Sequence, residues 1–184
     1  MNNNFNNQSQ MGADFTRTKL ASGANKVAKI IQITAIVIIT SQILGIILAI
    51  MAAPLMNDVA ALSGKASVTT AEANALRDKA LALAPLTLLG VVAGIVGLVF
   101  IIIAWVRQNK LNKELVLAGL NQYQVYPVVL IVIYVAGIVI GQVAARQPSL
   151  AMVVSIVFAI VYIVVAVLML KQAQQMKKDF NQNA

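Results

Sequence analysis

Four long stretches without a charged side chain alternate with short polar segments, at residues 30–57, 80–106, 115–145 and 147–170. A helix needs roughly 20 apolar residues to cross the hydrocarbon core of a bilayer, and each stretch exceeds that. The pattern predicts an all-α integral membrane fold, a four-transmembrane-helix bundle with spans at about 30–53, 81–106, 125–145 and 149–170. A polar Asn/Gln-rich tail (1–29) precedes this transmembrane domain (30–170), and a polar, basic tail (171–184) follows it.

The basic residues orient the spans. Arg17, Lys19, Lys26 and Lys29 lie in the first tail, Arg107, Lys110 and Lys113 in the middle connection, and Lys171, Lys177 and Lys178 in the last tail. With an even number of crossings these segments share one side and hold ten of the 14 basic residues, leaving Lys65, Arg77, Lys79 and Arg146 opposite. The positive-inside rule then places both termini in the cytoplasm, and Trp105, Tyr123 and Tyr126 fall near that interface. The first span begins after 29 residues and ends in Ala52-Ala53-Pro54, so it reads as a retained signal anchor.

The connections carry their own signals. Thr69-Thr70-Ala71-Glu72 is a capping-box pattern, which predicts a short helical segment in the first external loop, starting near Thr70 and leading into the second span. Pro85 is expected to bend it near the membrane surface. Arg146-Gln147-Pro148 is so short a turn that the third and fourth spans must be antiparallel neighbours. Leu111, Leu115 and Val116 recur at helical spacing, as an interfacial helix or as an extension of the second span stopping near Gly119. The Asn/Gln-rich ends have the composition of solvated tails, with ordering on a partner or a neighbouring copy as the sharper alternative. A weak internal echo links Arg107-Gln108 with Lys113 to Lys171-Gln172 with Lys177, although basic helix ends recur commonly without duplication.

Composition narrows the chemistry. The net charge of +8 is accounted for by basic residues flanking the spans, where they meet anionic headgroups. No basic patch is interleaved with aromatics as in a nucleic-acid binder. The absence of Cys and His removes thiolate chemistry, the usual haem ligand, the commonest zinc ligand and the standard general base, so no catalytic, cofactor or metal residues are expected. No ionisable Asp, Glu, Lys or Arg lies within a span, which counts against ion-coupled transport.

Small residues four apart let membrane helices approach closely, and each span has such a row. The rows are Ser41, Gly45 and Ala49 in the first, Gly90 and Gly94 in the second, Gly137 and Gly141 in the third, and Ala151, Ser155 and Ala159 in the fourth. Packing within the chain is their ordinary use; faces between copies or against other subunits are the alternative. Thr40, Gln42, Tyr134 and Tyr162 fall near mid-depth and could meet around one point. Interhelical hydrogen bonding is the common role of such residues, and a small polar pocket is the functional one.

The expected function is that of a non-enzymatic structural or accessory subunit of a bacterial cytoplasmic (inner) membrane. It would assemble with itself as an oligomer or with other membrane subunits, surrounded by the lipid bilayer. A passive channel or carrier for a small uncharged solute is the alternative.

Overall fold

The computed structural model describes residues 3–144 and 148–181, with side chains for 17–142 and 150–180. These residues form four α-helices and no strand: α1 Asn3–Ser63, α2 Thr70–Leu117, α3 Tyr126–Ala144 and α4 Pro148–Asn181. Three are long and apolar enough to cross a membrane, over Arg17–Ser63, Thr70–Leu117 and Leu150–Phe180; the apolar part of α3, Tyr126–Gln142, is shorter.

The helices greatly outrun the spans read from the sequence. At 1.5 Å per residue, the 61 residues of α1 and the 48 of α2 reach about 92 and 72 Å, two to three times the ~30 Å hydrocarbon core. The tail segments read at 1–29 and 171–184 are helical over their described residues, because α1 already begins at Asn3 and α4 continues to Asn181. The physical reason is an apolar stripe hidden among polar neighbours. Leu20, Ala24, Val27, Ala28, Ile31, Ala35 and Ile38 recur at helical spacing and are all buried.

The helical segment expected near Thr70 is the start of α2, continuous with the span it was expected to lead into. Thr69 is its N-cap: the Thr69 hydroxyl accepts from the Glu72 amide at 3.3 Å, and the Glu72 carboxylate accepts from the Thr69 amide at 3.0 Å. α2 then runs on without interruption through Pro85. Its other end settles the middle connection as an extension of α2. Gly119 adopts φ +70, Leu120 N–H donates to Leu115 O at 2.9 Å, and Gly119 N–H donates to Val116 O at 3.0 Å. That is a Schellman stop, and the positive φ is why glycine stands there.

α1 packs against both α2 and α4, and α3 packs against α4 and more lightly against α2; among the described residues the backbones of α1 and α3, and of α2 and α4, stay apart, although Gln108 of α2 reaches Gln172 of α4. Packing is uneven along the bundle axis. The core gathers Ile31, Ile38, Ile101, Leu111, Leu115, Leu130, Tyr162, Met169 and Met176 with the α1 stripe, all toward the basic end. From residue 39 to residue 100 no large hydrophobic side chain is buried. At the far end the α1–α2 hairpin is clamped by two surface ion pairs, Lys65–Glu72 and Lys79–Asp58. Hydrogen bonds from Lys65 and from Thr69 hold the Glu72 carboxyl down at about 2.

Candidate functional site

The small-residue rows do not all point the same way. Those of α1 and α4 face one another: Gly45, Ala49, Ser155 and Ala159 line a cleft of about 360 Å³ together with Gln42. Gly137 makes a close approach, since a Cβ there would lie 3.4 Å from the Phe158 ring on α4. A Cβ at Gly90 would meet Leu48 of α1 at 3.7 Å. At Gly45, Gly94 and Gly141, by contrast, an added Cβ meets nothing within 4 Å. The hydroxyls of Ser41 and Ser155 turn back onto their own helices, donating to Ile38 O at 2.9 Å and Ala151 O at 2.8 Å. Ala151 itself is half-buried.

The mid-depth polar residues are not gathered around one point. Thr40 is exposed on α1, and Tyr134 is exposed on α3, near enough to Tyr162 of α4 to act on it electrostatically. Gln42 faces the α1–α4 cleft. Tyr162 is buried, its hydroxyl 3.5 Å from Leu130 O across the α3–α4 contact. The polar residue that does cross between α1 and α2 is Thr34. Fully buried, its hydroxyl lies 2.8 Å from Ile30 O and 3.3 Å from Phe100 O.

The main polar cluster sits instead at the basic end, where the connection between α2 and α3 folds back between helices. Gln108 and Gln172 both donate to Gln124 O, at 2.6 and 2.7 Å, and Gln108 Nε2 also lies 3.3 Å from Gln172 Oε1. One turn along α2, Asn112 pairs with the main chain of Tyr123 in both directions: its Nδ2 donates to Tyr123 O at 2.8 Å and its Oδ1 accepts from Tyr123 N–H at 3.0 Å. The Tyr123 hydroxyl donates to Asp179 at 2.8 Å, and Lys177 donates to Gln32 at 2.7 Å, tying α4 to the connection and to α1. Burial, and then the Asp179 carboxylate, push the Tyr123 phenol above its ordinary pKa.

These groups are amides and main-chain carbonyls bonded to one another, with Gln108 Oε1 left buried without a partner, an arrangement that fixes a loop rather than activating a nucleophile. Gln108 and Gln172 are also the paired positions of the sequence echo, brought face to face. The signal that marks them is register: Gln108, Leu111, Asn112 and Leu115 occupy one buried stripe of α2, so a polar side chain in step with apolar ones is an interior residue. Among the described residues no group of three or more His, Cys, Asp or Glu is placed to hold a metal ion.

The chain matches no known protein family, and neither characterised proteins nor solved structures are significantly similar to it.

Proposed function

We propose that this chain is a non-enzymatic, multi-pass subunit that assembles laterally in the membrane, with copies of itself or with other membrane subunits. In this reading it crosses the cytoplasmic membrane four times with both termini in the cytoplasm. The basic residues support that orientation, and the ~28 Å length of the 19-residue α3 is close to the hydrocarbon thickness. The observation that carries the assembly reading is the open space around Gly94 and Gly141. Lipid tails are as apolar as leucine, so helices associate through close contact, which glycines free of intrachain neighbours permit.

Gly94→Leu and Gly141→Leu are expected to leave the isolated chain folded, because their Cβ atoms enter open space. Assembly should weaken by about tenfold in dissociation constant, or about 1.4 kcal/mol. Mass measurement after gentle detergent extraction checks both. A wild-type chain that remains a lone monomer without companions at membrane density sinks the proposal.

A passive route for a small uncharged solute is the second reading, favoured by the α1–α4 cleft and Gln42 within it. Under that reading Gln42→Leu abolishes solute flux in liposomes while assembly persists; flux unaffected by the change, or absent from the start, removes it.

A further inference from the structure

Where α1 enters its apolar stretch and α2 leaves its own, the two helices enclose a groove of about 460 Å³. Lys26 and Lys29 line it from α1, Arg107 and Lys110 from α2, and Glu114 is the single acidic side chain. All four cations are exposed, and none forms a salt bridge among the described residues, where the ion pairs stand at the opposite end of the molecule. Beneath the charges the lining is apolar, through Ile30 and Ile33. Ile33 lies partly exposed on the lipid-length apolar face of α1.

The charged step falls between residues 29 and 30 on α1 and between 106 and 107 on α2, so the groove straddles the boundary between hydrocarbon and headgroup layers. A phosphate among four cations gains favourable electrostatics from both helices, and the apolar lining offers an adjoining hydrocarbon chain a surface. Neither half alone specifies the occupant; a free anion would leave the apolar part unused, and a neutral lipid would leave the cations unmatched.

We propose that this groove binds an anionic phospholipid, its headgroup phosphate held between Lys26, Lys29, Arg107 and Lys110 and one acyl chain lying along Ile30 and Ile33. The proposal stands whether or not the chain assembles with copies of itself.

The test titrates the full-length protein in mild detergent with short-chain phosphatidylglycerol and phosphatidylcholine, reading bound lipid by native mass. Phosphatidylglycerol is expected to bind at least about tenfold more tightly than phosphatidylcholine. Lys26→Gln with Arg107→Gln should cost about 10- to 30-fold in that affinity, at the usual contribution of a basic residue near anionic lipid. Lys113→Gln with Lys171→Gln removes two exposed cations outside the groove and should change it by no more than about twofold. Glu114→Gln should strengthen binding, a direction that damage to the fold does not produce.

Equal binding of the two lipids, or equal losses from the two double variants, overturns the proposal. So does displacement of phosphatidylglycerol by inorganic phosphate at matching concentration, which would identify a site for free anions. Should the Lys26/Arg107 variant fail to fold, Glu114→Gln decides alone: a gain supports the lipid site and no change overturns it.

Discussion

Replacing Leu20 and Val27 together with glutamine is expected to destabilise the bundle by about 3–6 kcal/mol, from ~1.5–3 kcal/mol for each buried aliphatic side chain. The size of the effect follows from solvent. Inside lipid, burying leucine against a neighbouring helix gains little, because the tails are equally apolar. Leu20 and Val27 lie on the polar side of Lys29, where the competing solvent is water, and both are buried in one cluster with Leu111, Leu115 and Met176. The substitutions keep every charge and replace good or fair helix formers with a good one, so topology signals and local helicity are preserved. Denaturant or thermal unfolding in detergent, followed by helical circular dichroism, measures the loss. A change below about 1 kcal/mol would mean that residues 17–29 behave as the solvated tail their composition suggests.

Asn112→Leu carries the second large expectation, a loss of about 2–6 kcal/mol, at ~1–3 kcal/mol for each polar group left unpaired. The new side chain is similar in volume but strips both the donor and the acceptor from the Tyr123 main chain, which the connection between α2 and α3 depends on for its path. Asn112 is 4% exposed, so water does not readily replace it. Hydrogen exchange separates this from general loosening. The Tyr123 amide should lose protection first, while amides in the α1–α4 contact keep theirs until global unfolding. Unchanged Tyr123 protection would refute the pairing.

Much of the fold was legible because lipid imposes so blunt a rule on sequence. Uncharged runs marked the apolar helices, Thr69 to Glu72 marked the start of α2, and Gly119 marked its end. What escaped was the part obeying the rules of soluble proteins. The segment around Leu20 to Ile31 follows the Asn/Gln run at 2–10 and carries lysines of its own, which masked it, although its spacing is that of an amphipathic helix. Gln108, Asn112 and Gln172 stand beside lysines and arginines, and only their step with buried leucines and methionines distinguishes them as interior residues. The glycine rows were visible, but which way each faces depends on the rotation of the helices about their axes. Spacing alone does not encode that: Gly137 meets Phe158, while Gly141, one turn on, meets nothing.

The one-sided core makes the molecule behave like a pair of tongs. Its handles are joined near Gln124, where amides and buried methionines grip three helices and a returning loop. Its jaws, the stretches flanking the cleft between Gly45 and Ser155, are held by few buried contacts and are expected to open before the joint. Parting the jaws is thereby separated from losing the fold, since the buried contacts lie at the joint.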